Sequence, residues 1–129
     1  MAAGPEAEGR HLPRAALIEA YGNGGFRFGD MSHRGSLLCL PDGVWAWPVK
    51  DAAEIGAAAL ELVFARGEVL DVFLIGAGRD PWPIPERLRA RFRALGVSVD
   101  VMATGPAVRT YNILLAENRR VGAGLIAVD

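Results

Sequence analysis

The sequence predicts an α/β fold: an N-terminal antiparallel β-meander followed by β-α-β-α-β, a three-layer domain with a mixed sheet. Three observations lead there. Between Leu17 and Val49, short apolar segments alternate with turn chemistry. From Glu68 onward the periodicity becomes strand, helix, strand, helix, strand. The chain has 129 residues, 51% of them apolar, which fills one hydrophobic core and is too short for two ordinary domains. Residues 17–129 are expected to form that domain. Residues 1–16 are expected to be a flexible N-terminal arm, because they hold Gly4-Pro5, two glutamates and no apolar run.

The meander is read from its punctuation. Leu17 to Tyr21, Phe26 to Phe28, Ser36 to Leu40 and Val44 to Trp47 are the apolar pieces, with Gly22-Asn23-Gly24-Gly25, Gly29-Asp30 and Pro41-Asp42-Gly43 between them. In the last turn proline presets φ and glycine tolerates positive φ. Period-two alternation sets Trp45 and Trp47 on one face, Val44 and Ala46 on the other.

Asp51-Ala52-Ala53-Glu54 has capping-box spacing, and the residues on to Arg66 read as a helix closed by Gly67. Its wheel gathers Ile55, Ala58, Ala59 and Leu62 in one stripe. Leu60 and Phe64 fall on roughly the opposite side and want a cover.

Val69 to Ile75 is β-rich. Pro85 to Leu95 carries Leu88, Phe92 and Leu95 at helical spacing and stops at Gly96; Val97 to Met102 is the next strand. Pro106 suits a first helical position, the helix runs to about Glu117, and Val121 to Val128 is a last strand. Ala107, Val108, Tyr111, Leu114 and Leu115 form the core face of that helix, leaving Ile113 to be covered by the meander or by another chain. Right-handed crossovers bring the loops after Ile75 and Met102 to the same edge of the sheet.

Ligands collect beyond the carboxyl ends of parallel strands, and here those ends carry Gly76-Ala77-Gly78-Arg79 and Thr104-Gly105-Pro106. Gly76, Gly78 and Gly105 let backbone approach a guest, the helix N-terminus is positive, and Arg79 and Arg109 add charge-assisted hydrogen bonds. With Thr104 and Asn112 these residues make the candidate ligand site, and a small anion is its natural guest. The competing reading is that Thr104 only caps the helix and Arg109 pairs with a carboxylate or covers apolar surface.

Other chemistries find less support. Fourteen Lys and Arg against fifteen Asp and Glu leave a net charge of −1, so no overall positive field exists to hold nucleic acid. Arg87, Arg89, Arg91 and Arg93 flank an apolar stripe on both sides, as snorkelling side chains do. No cofactor is expected: Pro81 occupies the third glycine position of a dinucleotide fingerprint, and Pro81-Trp82-Pro83-Ile84-Pro85 delays the receiving helix. No metal is expected either, with His11 in the arm and His33 in a turn. Asp30, Asp42 and Asp80 sit in turns, Ser32 and Ser36 lack an elbow context, and Cys39 among leucines reads as an inert core thiol. Charges or prolines interrupt every apolar stretch, so no membrane span is expected, and the reading is of a soluble, cytoplasmic protein.

The run Thr104-Gly105-x-Ala107-x-Arg109-Thr110-Tyr111-Asn112, then Leu114-Leu115-Ala116-Glu117 and Arg119-Arg120-Val121, resembles a widespread small α/β family of unknown function. Its eukaryotic member is the mitochondrial complex I assembly factor three of NADH dehydrogenase. Gly25-Phe26-Arg27-Phe28, Gly35-Ser36-Leu37-Leu38, Trp47-Pro48-Val49 and Leu74-Ile75-Gly76-x-Gly78 extend the resemblance over about Leu17 to Val128. It implies a three-layer domain that assists biogenesis of a membrane-associated complex by binding rather than turnover. The family pattern often sets an acidic residue before the threonine and a smaller residue or cysteine near Val108; Ala103 and Val108 stand here, which counts against catalysis.

The expected function is therefore a non-catalytic protein-binding module. Its partners would be membrane-complex subunits, other assembly factors or a second copy of the chain, met through Leu60, Phe64 and Ile113. The alternative is a small-molecule or anion-binding enzyme or sensor working at the glycine loops.

Overall fold

The computed structural model describes residues 9–129. In chain order the strands are β1 (Arg10–Leu12), β2 (Ile18–Gly22), β3 (Gly25–Phe28), β4 (Met31–Arg34), β5 (Leu37–Leu40) and β6 (Gly43–Ala46), then β7 (Val72–Gly76), β8 (Ser98–Met102) and β9 (Val121–Leu125). The helices are α1 (Glu61–Ala65), α2 (Glu86–Ala94) and α3 (Thr104–Ala116). Strands β2-β3-β4 form a small antiparallel sheet; the rest form a six-stranded mixed sheet in the order β1-β6-β5-β9-β7-β8. The meander thus divides between two sheets at Gly35-Ser36.

Handedness explains the layers. The step from β7 to β8 goes outward and the step from β8 to β9 returns across β7, so two right-handed crossovers must place α2 and α3 on opposite faces. Leu88 and Phe92 of α2 accordingly pack with Phe73 and Ile75, while Ala107, Val108 and Tyr111 of α3 pack with Leu74. Ile18, Phe26 and Phe28 lay the small sheet beside α3 on the second face. Its hairpin turns carry the left-handed residues that tight connections require: Asn23 and Gly24 in one, Gly29 and Asp30 in the other.

Three expectations change. Arg10–Leu12, assigned to a mobile arm, is β1: Arg10 pairs with Trp45 and Leu12 with Val44, and the Arg10 guanidinium lies over the Trp45 ring. Three residues are too few for alternation to show. Residues 1–8 of that arm lie outside the described residues. Met31–Arg34, whose polarity hid it, is β4, paired with β3 from Gly25↔Arg34 to Phe28↔Met31.

The helix expected over 51–66 is broken. Its capping box forms, with Asp51 Oδ1 accepting from the Ala53 N–H and Glu54 Oε1 from the N–H groups of Lys50 and Asp51. It starts only one 3₁₀ turn, Ala52–Glu54, before Ile55 turns to φ −78°, ψ 102°. Ile55, Leu60 and Val63 all enter one core, and a straight helix would not aim all three there. Ala59 O instead accepts from Trp47 Nε1 at 2.9 Å. The supposed spare stripe is consumed by the chain itself: Leu60 is fully buried, and Phe64 meets Phe92 edge-on beneath the Arg91 guanidinium.

In the middle of the large sheet β9 reads Val-Gly-Ala-Gly-Leu. A Cβ on Gly124 would stand 2.6 Å from the Trp47 ring, so the indole packs directly on backbone.

Candidate functional site

Gly76 of β7 lies opposite Met102 of β8 on one side and Leu125 of β9 on the other. The three strand exits therefore share one rim, with Gly76-Arg79 beside the start of α3. What fills the space between them is Thr104. Its N–H donates to Gly78 O (2.9 Å), its Oγ1 accepts from the Gly78 N–H (3.0 Å), and its hydroxyl donates to Ile126 O (2.7 Å). Flanking bonds from Ala77 N–H to Met102 O and from Ile126 N–H to Gly76 O, both 2.8 Å, complete the lacing. Thr104 is fully buried, and a Cβ on Gly76 would come within 3.0 Å of its Cα. Thr104 and the Gly78 N–H are thus spent on the fold, and Gly76 is needed so that helix and strand can close up.

The remaining candidates diverge. Gly105 lies under the Tyr21 hydroxyl, where a Cβ would meet Oη at 2.5 Å, with Arg109 Nη1 at 3.6 Å. Arg79 Nη2 donates to Asp129 O at 3.3 Å. Asn112 points toward β2 and bonds the Ile18 backbone through both ends of its amide. Ala103 precedes α3 at the N-cap position, and its side chain supplies no cap.

Concave space at this rim lies farther out, on the two sides of Trp82. One cleft of about 370 Å³ includes Lys50, Asp51, Arg79 and Asp80; another of about 480 Å³ runs from Arg79 and Asp80 past Pro81-Trp82-Pro83 to Met102 and Ala103. Neither is lined by Thr104, Gly105 or Arg109. The proline run that disqualified a dinucleotide site shapes both clefts.

The titratable groups read differently from the sequence. His11 and His33, expected apart in an arm and a turn, meet with Nε2 and Nδ1 3.0 Å apart, joining β1 to β4. Burial, reinforced by the charge of His11, holds His33 below its ordinary pKa. Cys39 is fully buried and desolvation pushes its thiol up to about 12, consistent with an inert core residue. Beside it Tyr111, raised by burial, donates its hydroxyl to Ala16 O at 3.3 Å. Among the described residues no group of three or more His, Cys, Asp or Glu could hold a metal ion.

Among the described residues five large apolar side chains stay exposed, Leu17, Tyr21, Val69, Leu95 and Ile113. Ile113 is 59% exposed, and Leu17 and Tyr21 of the β2 segment are exposed beside α3. Since Asn112 fastens Ile18 to α3, Leu17 and Ile113 flank the same seam. Tyr21 reaches it at the far end, over Gly105. The sequence picked out Ile113 by its wheel position; Tyr21 over Gly105 is a tertiary meeting with no local signal. No described helix is long and apolar enough to cross a membrane.

The chain is similar to proteins of known sequence and structure. An uncharacterized protein of Rhodobacter capsulatus is 40% identical over 113 residues, covering 87% of this chain and 85% of its own length. A crystal structure described as an outer membrane protein from Bartonella henselae superposes with a TM-score of 0.88 at 44% identity, over 92% of this chain and 100% of the other. NADH dehydrogenase (ubiquinone) 1 alpha subcomplex assembly factor 3 of Drosophila melanogaster is 30% identical over 113 residues. That match takes in 85% of this chain but 58% of the fly protein, so the chain spans little more than half of that relative. A family model matches residues 18–126, from the first residue of β2 to just past β9, and the chain belongs to that family, the DUF498/DUF598 proteins of unknown function.

Proposed function

We propose that this chain is a non-catalytic protein-binding module that assists assembly of a membrane-associated respiratory complex, working from the soluble, cytoplasmic side. The observation that carries the reading is the β2–α3 seam, which gathers Leu17, Tyr21 and Ile113, three of the five large apolar side chains exposed among the described residues. Relatives named as complex I assembly factors support the same class of role. Leu60 and Phe64 drop out of the interface, since the chain covers them itself.

The test compares the tagged chain with Ile113→Asp in detergent-solubilised membranes. The wild-type chain is expected to co-migrate with subunits or intermediates of a respiratory complex on native gels, and the variant to lose them while keeping its thermal stability. Recovery of the chain without any subunit or intermediate of a respiratory complex overturns the reading.

A second reading is a small-anion sensor at the rim, favoured by the cleft of about 480 Å³ that Arg79 borders. It requires a phosphate- or carboxylate-dependent rise in melting temperature that Arg79→Ala removes. Equal responses in wild type and variant exclude it.

A further inference from the structure

On the first face of the large sheet a cleft of about 820 Å³ opens between α1 and the β1–β6–β5 end. We infer that it is a binding site for a small anionic amphiphile, a medium-chain carboxylate in class, independent of the seam proposed above. Trp45, Trp47 and Leu62 give it apolar walls, and Ala58 and Ala65 keep those walls far apart because their side chains are short. A volume of this size falls within the roughly 300–1,000 Å³ of small-molecule sites.

The mouth supplies the head-group preference. Arg34 and Lys50 border it against one carboxylate, Glu61. Arg34 and Lys50 are exposed, and neither side chain has a hydrogen-bond or ion-pair partner among the described residues. His33 also borders the cleft but is engaged with His11. An apolar body with a negative head satisfies both halves: the walls take the methylenes out of water and the surplus cation meets the head.

The probes are octanoate, decanoate, decanol and decyltrimethylammonium, all below their micelle concentrations, titrated against the full chain with melting temperature and tryptophan emission as readouts. Decanoate is expected to bind saturably and to exceed octanoate by about fifteenfold, since each of its two extra buried methylenes adds roughly fourfold. Decanol is expected to bind several-fold more weakly, and the ammonium not at all. Arg34→Gln with Lys50→Gln should weaken decanoate severalfold and leave decanol unchanged. Ala58→Trp, at an exposed wall position, should abolish both. If Ala58→Trp does not fold, the paired glutamine variant decides. Absence of saturable decanoate binding, equal binding of carboxylate and ammonium, or decanoate affinity unmoved in the glutamine variant overturns the site. A cleft that ignores all four probes yet takes an amphipathic peptide, blocked by Ala58→Trp, likewise overturns it and assigns the surface to a protein.

Discussion

The side-chain amide of Asn112 does for Ile18 what a neighbouring strand would do: Oδ1 accepts from the Ile18 N–H at 2.8 Å and Nδ2 donates to Ile18 O at 2.9 Å. β2 is an edge strand of the small sheet, and an open edge is a template for unwanted pairing. One residue of α3 occupies the start of that edge, at Ile18, and fastens the small sheet to the helix. Replacing it by alanine leaves two backbone groups without partners, which costs about 1–3 kcal/mol. Urea unfolding should show the loss, with faster exchange of the Ile18 amide. Asn112→Asp should be no better, because a carboxylate faces Ile18 O without a donor.

Thr104 is expected to separate sharply by substituent. Thr104→Val keeps the shape but strands the Gly78 N–H and Ile126 O, so a loss of about 2–4 kcal/mol follows. Thr104→Ser keeps both bonds and should lose less than about 1.5 kcal/mol. Chemical denaturation of the two variants measures the difference; equal losses would mean that the hydroxyl contributes little.

Gly124→Ala should destabilise by about 1–3 kcal/mol through overpacking against the Trp47 ring. Trp47→Phe alone forfeits the bond to Ala59 O. In the double variant the smaller ring leaves room for the new methyl group, so the losses should be less than additive. A double-mutant cycle on unfolding free energies checks this.

His33 makes stability depend on pH with a definite sign. Its folded pKa lies below 6.5, chiefly through burial and then through His11, with the Ser36 backbone opposing. The unfolded chain therefore takes up the proton first as pH falls. Stability is full above the unfolded value, declines as pH drops through 6.5, and levels off below the folded pKa. His33→Gln should flatten that decline in melting temperatures measured from pH 8 to 5.

Cys39 offers a clean reporter. With its thiol held near 12 and fully buried, it should resist a disulfide reagent at pH 8 in the native protein and react at once in denaturant. Rapid native labelling would show that the second core opens readily.

The βαβαβ half was legible because its signals are local: Gly96 ends one helix, Pro106 lies in the first turn of the next, and helical spacing of Leu88 and Phe92 marks a buried stripe. The shared rim followed from crossover handedness alone. What escaped was tertiary. Nothing near Thr104 announces that its hydroxyl will be taken by Gly78 and Ile126, twenty-odd residues away on either side. β4 escaped because its half-buried row is Met31 and His33, and a histidine in that row hides the alternation. The 51–66 helix misled because an authentic cap and good helix formers precede Ile55, whose burial bends the chain.

β9 joins β5 to β7 at the centre of the large sheet, yet it is the last strand in chain order. While the polypeptide is being synthesised, β5 and β7 both present bare edges until residues 121–125 have cleared the ribosome. Closure also demands contacts between residues near 38 and residues near 124, a long loop to close before any reward. The centre of the large sheet therefore cannot close before β9 has been made. Truncation just before Val121 should leave aggregation-prone halves rather than a smaller folded unit.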